Sequence, residues 1–266
     1  MFTKRLASGI ILVILAIIIV VKGGVLLYGV MGIISLMGMF ELYRVLKIEK
    51  NPMGFIGYLT AVVYYGLVWF DCQQHVVFMS IVALMAMMCI YVITFPKYKT
   101  EEVTAGFFGV FYVAVMLSYL YQVREMSDGV YLVWLIFISS WGCDTGAYCV
   151  GKLIGRHRMT PVLSPKKTIE GAVGGIVVSA LLAFAYARAF GGRMTDIASP
   201  GYTCAIACAV AAVISQIGDL AASAIKRNHN IKDYGQLIPG HGGILDRFDS
   251  MLFTAPAIYF AVLFLK

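Results

Sequence analysis

The sequence predicts an all-α integral membrane protein that crosses the bilayer several times. Hydrophobic residues make up 61% of the chain, charged residues only 13%, and the mean hydropathy is +0.85. A soluble domain of 266 residues would need far more polar side chains to cover its surface. The apolar runs are continuous rather than alternating. Inside a bilayer, such runs satisfy their backbone hydrogen bonds only as helices.

Nine apolar segments are candidate transmembrane helices. They cover residues 8–21, 24–40, 55–70, 76–95, 105–121, 130–150, 171–190, 202–222 and 249–265. Several are shorter than the roughly 20 residues that a full crossing prefers. Only Lys22, Gly23 and Gly24 separate the first two segments, so a tight hairpin and one long helix are both compatible with the sequence. One long helix would reduce the count to eight.

The loops between these segments carry positive charge asymmetrically. With nine crossings, most of the 21 lysines and arginines fall on one side of the membrane. Since cytoplasmic loops are enriched in positive charge, the N-terminus is predicted to be cytoplasmic and the C-terminus to lie outside. The basic residues stand in short loops between apolar runs, so membrane topology explains the formal charge of +7 better than nucleic-acid binding does.

Polar residues suited to chemistry concentrate in the C-terminal half. Residues 1–130 contain apolar spans and short loops, which predicts a scaffold for lipid access or oligomer contacts. Residues 131–266 hold two larger loops, 151–170 and 223–248, with most of the clustered Gly, Asp, Lys and His. We therefore expect the catalytic motifs and cytoplasmic loops in residues 131–266.

Two polar motifs precede the seventh apolar segment. Asp144 stands inside the sixth segment, where an ionisable side chain is costly, so a functional role is favoured over a structural ion pair. Ser164 suits a helix N-cap and Pro165 the first helical position. The free N–H groups of that helix, together with Lys166 and Lys167, would bind an anionic phosphate. An ordinary positive flank of a span explains the two lysines about equally well.

A stripe of polar residues marks the end of the eighth apolar segment. Ser215, Asp219, Ser223 and Lys226 are spaced by four, four and three residues, which places them on one helical face. Inside lipid such a stripe is costly unless it borders a hydrated cavity. We interpret the stripe as part of a functional site.

A glycine-rich loop and two acidic residues precede the last apolar segment. The run from Pro239 to Gly243 permits a loop whose backbone N–H groups converge on an anion. Within it, His241 is predicted to donate to a phosphate. Asp246 and Asp249 share a face if the helix has begun by then. Their carboxylate oxygens are the ligands that Mg²⁺ prefers.

The last polar stretch resembles the complete signature of the phosphatidate cytidylyltransferases, also called CDP-diacylglycerol synthases. The positions that carry the resemblance are Ser223, Lys226, Arg227, Lys232, Asp233, Gly235, Ile238, Pro239, His241, Gly242, Gly243, Asp246, Arg247, Phe248 and Asp249. The runs 144–148 and 164–168 are also similar to motifs of this family. Residues before 139 resemble it only in length, span count and hydrophobicity.

The resemblance implies an enzyme of the bacterial inner membrane whose active site faces the cytoplasm. Such an enzyme joins CTP and phosphatidic acid to give CDP-diacylglycerol and pyrophosphate, with Mg²⁺ as cofactor, room for a second cation, and a possible homodimer. Combined with the residue chemistry, it assigns Asp219 and Asp246 as catalytic metal ligands, with Asp144 as a third candidate. The predicted substrate-binding residues are Ser164, Lys166, Lys167, Ser223, Lys226, Arg227, Lys232, His241, Arg247 and Asp249.

Three alternative functions share some of these sequence features. A CTP-dependent kinase of a membrane alcohol such as a polyprenol needs similar machinery, but the complete run from His241 to Asp249 argues against it. A CDP-alcohol phosphotransferase would carry an Asp-Gly-x-x-Ala-Arg motif, which the sequence lacks. A cation transporter could also place Asp144 and Asp219 in spans, but paired broken helices across an inverted repeat would then be expected.

Overall fold

The computed structural model describes residues 2–237 and 242–265, and within them nine long helices and one short β-hairpin. The helices are α1 Phe2–Lys22, α2 Gly24–Val45, α3 Pro52–Trp69, α4 Val76–Ile93, α5 Thr100–Glu125, α6 Gly129–Ile154, α7 Ile169–Phe190, α8 Pro200–Asn228 and α9 Leu245–Leu265. The hairpin pairs β1, Arg158–Thr160, antiparallel with β2, Ser164–Thr168. The predicted all-α class is confirmed, and the hairpin is a small addition to it.

Eight of these helices, α2 to α9, are long and apolar enough to cross a membrane. In α1 the corresponding apolar stretch is the shorter Val13–Lys22. Large apolar side chains such as Val77, Phe78 and Ile93 of α4 are exposed, as expected for helices whose solvent is lipid. The chain is thus a polytopic membrane protein. Nine crossings and a cytoplasmic N-terminus stay predictions.

Two glycines, Gly23 and Gly24, form the junction of α1 and α2. Gly23 and Gly24 have φ of +62° and +53°, a conformation that residues with a side chain rarely adopt. Arg124 binds this end of α1, because its Nε donates to Val20 O at 3.0 Å and its Nη2 to Val21 O at 3.2 Å. The last carbonyls of a helix lack partners within the helix, so the guanidinium stabilises this terminus. The first two apolar segments therefore form two helices.

The chain folds as two compact units that are discontinuous in sequence. The first unit comprises Val25–Ser118 and the described residues of Met1–Ile10 and Asp233–Arg247. The second unit comprises Ile11–Gly24, Tyr119–Lys232 and the described residues of Phe248–Lys266. The predicted division at residue 130 is a division by function, into a scaffold of residues 1–130 and a catalytic part of residues 131–266. It stays a prediction.

In the first unit, a buried tyrosine fixes the last turns of α2. The Tyr43 side chain is fully buried, and its hydroxyl donates to Gly106 O on α5 at 2.5 Å. A Cβ on Gly57 of α3 or on Gly109 of α5 would lie only 2.1 or 2.2 Å from Tyr43 atoms. Real side chains do not approach so closely, so glycine at both positions makes room for the ring. The end of α2 is thereby held against α3 and α5.

In the second unit, α6 and α7 pack through glycines. A Cβ on Gly146 of α6 would lie 2.7 Å from Val178 Cβ, and one on Gly174 of α7 would lie 2.5 Å from Val150 Cβ. Small residues let transmembrane helices approach closely, which increases their van der Waals contact. Gly146 therefore serves helix packing.

The prediction that Ser164 caps the seventh helix is wrong. Residues 164–168 form β2, and α7 begins at Ile169 with Thr168 as its N-cap, since Thr168 Oγ1 accepts from Gly171 N at 3.1 Å. Ser and Thr are both good N-cap residues. The pairing of β2 with β1 extends the backbone through Ser164 and so selects the later cap. The two lysines between the caps consequently lie on an extended strand.

Candidate active site

The second unit brings five predicted site residues together. Asp144 lies on α6, Lys167 on β2, Asp219 and Lys226 on α8, and Asp249 on α9. Lys167 Nζ forms an ion pair with Asp219 Oδ2. The carboxylates of Asp144 and Asp249 both lie within electrostatic range of Asp219, and Lys226 lies within range of Asp249. Three carboxylates and two lysines therefore share one region of this unit.

An irregular turn of α6 precedes Asp144. Residues Ile138–Gly142 form a π-helical turn, and regular α-helix resumes at Cys143, which places Asp144 in the first turn after the irregularity. Turns of this kind are rare in helices and frequent at functional sites. The sequence predicts a functional role for Asp144 because an ionisable side chain is costly inside a transmembrane helix. The irregular backbone beside it is consistent with that role.

The polar stripe predicted on the eighth segment is helical along its full length. Ser215, Asp219, Ser223 and Lys226 all lie within α8, and Ser215 and Lys226 are buried. Among the described residues, the Ser215 hydroxyl has no hydrogen-bond partner. Burial of an unpaired hydroxyl costs free energy. The stripe thus faces the interior of the protein. This is expected, because exposure of these polar side chains to lipid would be costly.

A cavity of about 370 Å³ adjoins this cluster in the second unit. Its polar and aromatic lining consists of Asp144, Tyr148, Lys152, Lys166, Lys167, Thr168 and Gln216. Gln216 is held in place because its Nε2 donates to Ala172 O at 3.0 Å. Three lysines around one cavity attract an anionic ligand, and the volume lies in the range of small-molecule sites, roughly 300–1,000 Å³. The cavity is suited to a ligand that carries phosphate.

In the first unit, Asp246 organises the segment that leads into α9. The side chain is buried, and Oδ2 accepts from Tyr234 N at 2.7 Å and from Gly243 N at 3.0 Å. Asp246 lies in the first turn of α9, so the helix has begun by this residue. One carboxylate oxygen therefore holds two backbone positions of the segment together.

Two further residues of the first unit contact the same segment, and no sequence motif points to either of them. Arg44 Nη2 donates to Tyr234 O at 2.7 Å, and the Glu41 carboxylate accepts from the backbone at the start of α9. Both residues lie near the end of α2, outside the motifs that carry the resemblance. The available signal was a carboxylate and a guanidinium three residues apart, directly after an apolar run.

Comparison with known proteins matches essentially the whole chain. Residues 3–265 match the model of the cytidylyltransferase family. The phosphatidate cytidylyltransferase of Staphylococcus aureus strain COL is 32% identical over 265 residues, which cover 96% of each chain. The protein of the same name from Bacillus subtilis strain 168 is 30% identical over 274 residues, which cover 97% of this chain and 96% of the relative.

The chain belongs to the cytidylyltransferase family. This membership confirms the resemblance that the motifs carry, and it makes the protein a nucleotidyltransferase. It also extends the likeness to residues before 139, where the motifs alone gave only a similarity of length and hydrophobicity.

Other predicted substrate contacts of this cytidylyltransferase lie on accessible parts of the chain. Arg227, Lys232 and Arg247 are exposed, and Ser164 and Ser223 are partly exposed. Arg227 Nη1 donates to Ile231 O at 3.3 Å, which closes the turn after α8. His241 lies outside the described residues. The roles of all these residues in binding substrate stay predictions.

The carboxylates of the second unit fit a divalent cation by their chemistry. Over the described stretches of the chain, no three His, Cys, Asp or Glu side chains are grouped as a ready ligand set. Asp144, Asp219 and Asp249 nevertheless offer the hard oxygen donors that Mg²⁺ prefers. They also outnumber the two lysines within their range. Since unbalanced charge inside a membrane protein is costly, an added cation would be favourable there.

Proposed function

We propose that this enzyme is a phosphatidate cytidylyltransferase, which converts CTP and phosphatidic acid into CDP-diacylglycerol and pyrophosphate. The observation that carries the proposal is the end-to-end match to bacterial proteins of that name. The lysine-lined cavity supports it, because both substrates are phosphate esters. The positive-inside rule and the cytosolic origin of CTP favour a bacterial inner membrane with the site on its cytoplasmic face.

The proposed reaction is a single displacement at phosphorus. A phosphate oxygen of phosphatidic acid attacks the α-phosphorus of CTP and forms a new phosphorus–oxygen bond. The bond from that phosphorus to the bridging oxygen breaks, and pyrophosphate leaves with the electron pair. Transfers of this kind depend on positioning and on neutralisation of charge, so a site without a protein nucleophile is sufficient.

The basic side chains of the second unit are proposed to bind the phosphates. Lys166 and Lys167 line the cavity, and the ion pair with Asp219 fixes the Lys167 ammonium. Lys226 supplies further positive charge beside Asp249. A positioned ammonium stabilises the negative charge that develops on the transferred phosphoryl group more than a freely mobile one does.

Asp219 and Asp246, with Asp144 as a third candidate, are proposed to hold Mg²⁺, and a second cation is compatible with the same chemistry. When bound, Mg²⁺ neutralises charge on the phosphate oxygens and helps to orient them. The excess of carboxylates around Asp219 supports the assignment of Asp219 and Asp144, because CTP adds further negative charge there. The assignment of Asp246 rests on the motif it belongs to. Asp249 belongs to the same cluster and is a candidate ligand as well as a candidate substrate contact.

The first test is the reaction itself. The purified protein in detergent, supplied with CTP and phosphatidic acid, is expected to release one pyrophosphate for each CDP-diacylglycerol formed. Chelation of divalent cations should stop turnover, and added Mg²⁺ should restore it. A parallel reaction with ATP in place of CTP is the control for nucleotide selectivity. Formation of CDP with a doubly phosphorylated lipid would establish a CTP-dependent kinase instead.

The lysines of β2 provide a second test. Lys167→Ala is expected to lower kcat/KM on the order of 10²-fold, since it removes a positioned cation from the phosphate site. Lys166→Ala should have a smaller effect, because Lys166 lines the cavity without the ion pair. Neither change should greatly lower thermal stability, since partly exposed ion pairs contribute only roughly 0.2–1 kcal/mol.

The control for these variants is Lys50→Ala, which removes an exposed lysine from a loop on the same predicted side of the membrane. Steady-state kinetics and thermal unfolding in detergent should be measured on all three proteins. Parallel losses of activity and of thermal stability in Lys167→Ala would indicate a structural flank rather than a phosphate site.

A further inference from the structure

Glu41 is a buried carboxylate of the first unit that neither binds substrate nor holds metal in the proposed reaction. Glu41, in the last turns of α2, is only 5% exposed. Burial of a carboxylate is costly unless hydrogen bonds compensate it. Its Oε1 accepts from Ile244 N at 3.0 Å, and its Oε2 accepts from Leu245 N at 2.9 Å. Each oxygen of the buried carboxylate thus meets one backbone donor.

These two donors lie where α9 begins. The first N–H groups of a helix have no acceptor within the helix, and the helix dipole places partial positive charge there. A carboxylate is therefore stabilised at this position, and it fixes the start of the helix in return. The predicted anion-binding N–H groups are those of the run from Pro239 to Gly243, and that prediction is a separate one. The donors to Glu41 are the N–H groups of Ile244 and Leu245, directly after that run.

The glycines of the motif are fitted to Glu41. A Cβ on Gly235 would lie 2.3 Å from Glu41 Oε1, and one on Gly243 would lie 2.4 Å from Glu41 Oε2. Side-chain atoms do not approach each other so closely, so any larger residue at either position would displace the carboxylate. The requirement for glycine at these two positions follows from contact with α2, independently of any substrate.

Arg44, one turn after Glu41 on α2, holds the other side of the segment. Its Nη2 donates to Tyr234 O, while Tyr234 N donates to Asp246 Oδ2. Both polar groups of the Tyr234 main chain are thus bound to charged side chains. The segment is held through Glu41 at one end and through Arg44 at the other.

We propose that Glu41 and Arg44 are positioning residues for cytidylyl transfer. They set the backbone at Tyr234, Ile244 and Leu245 in the first unit, and so fix the adjoining Asp246 and Arg247. Residues of the N-terminal part of the chain would thus act on the reaction through these two predicted site residues. The proposal rests on the proposed function. A displacement of about 1 Å in a positioned group lowers rates on the order of 10²-fold. Loss of these positioning contacts is therefore expected to lower kcat.

The test compares Glu41→Ala, Glu41→Gln and Arg44→Ala with the wild-type protein. Glu41→Ala is expected to lower kcat about 10²-fold with less than about threefold change in KM for CTP. Glu41→Gln should recover part of the loss, because its carbonyl oxygen can accept one of the two N–H groups while its amide cannot accept the other. Arg44 is exposed, so Arg44→Ala should fold normally and lower kcat about tenfold.

The control is Glu101→Ala, which removes an exposed carboxylate from α5 in the same unit and should leave kinetics unchanged. Hydrogen exchange of the intact protein gives a readout independent of activity. The amides of Ile244 and Leu245 should exchange faster in Glu41→Ala, while the amides of α3 and α4 keep their wild-type rates. Glu41→Gln should lie between the two.

Five outcomes decide between the possibilities. Lower kcat with locally faster exchange supports the proposal. Faster exchange throughout the first unit, with activity lost in proportion to folded protein, would assign Glu41 to stability alone and overturn it, as would unchanged kcat in both Glu41→Ala and Arg44→Ala. If the wild-type protein makes no CDP-diacylglycerol, the proposed function fails, and unchanged exchange at Ile244 and Leu245 in Glu41→Ala would separately overturn the positioning role.

Discussion

Asp219→Asn is expected to lower turnover by about 10³-fold or more, while the protein remains folded and inserted in the membrane. Asp219 is the carboxylate that pairs with Lys167 and that lies within electrostatic range of both Asp144 and Asp249. Asn keeps the shape of the side chain but removes its charge. A neutral amide is a poor ligand for Mg²⁺ and no longer fixes the ammonium of Lys167. Both proposed contributions to the phosphate site are therefore lost together.

The same substitution should cost little stability. Asp219 and Lys167 each keep 27% of their side-chain surface exposed, and partly solvated ion pairs contribute roughly 0.2–1 kcal/mol. Removal of one carboxylate also relieves its repulsion with Asp144 and Asp249. Loss of turnover without loss of thermal stability thus separates a chemical role from a packing role.

The measurement is CDP-diacylglycerol formation over a range of Mg²⁺ concentrations, beside thermal unfolding in the same detergent. Asp71→Asn is the matched control, since Asp71 is exposed and its positive φ of 52° is one that Asn adopts readily. Near-normal turnover of Asp219→Asn at an unchanged Mg²⁺ requirement would remove Asp219 from the metal site.

The helices were predictable because the solvent constrains them. A continuous apolar run in a bilayer has only the helix available to it, so the order of the nine helices follows from hydropathy alone. The boundary at the start of α7 was not predictable in this way. Ser164 and Thr168 are both competent N-caps, and the choice depends on the pairing of β2 with β1. Local signals do not report such a pairing.

The candidate site was predictable only in part, for a related reason. Asp144 and Asp219 stand out because an ionisable residue in an apolar span is costly whatever it contacts. The role of Glu41 depends on Ile244, which lies 203 residues further along the chain. No periodicity or local motif reports a contact over that distance. The glycines near Ile244 were visible in the sequence, but the carboxylate to which they are fitted was not.

Asp246→Asn is the second substitution with a large expected effect, and it separates two roles of one carboxylate. In the structure, Asp246 Oδ2 accepts from the backbone N–H groups of Tyr234 and Gly243. Asn also has one carbonyl oxygen, which can accept both bonds. If holding the backbone were the whole role of Asp246, Asn would retain most of the activity.

We expect instead a loss of about 10³-fold or more in kcat, because the proposed role as a Mg²⁺ ligand requires the charge. Asp246→Ala should also lose the backbone bonds, so its Tyr234 and Gly243 amides should exchange faster than those of Asp246→Asn. The decisive comparison is therefore kcat and its Mg²⁺ dependence against amide exchange in the two variants. An Asn variant with protected amides and lost turnover places the charge of Asp246 in the chemistry. An Asn variant that turns over normally would limit Asp246 to its two backbone bonds, and the metal site would then rest on the carboxylates of the second unit.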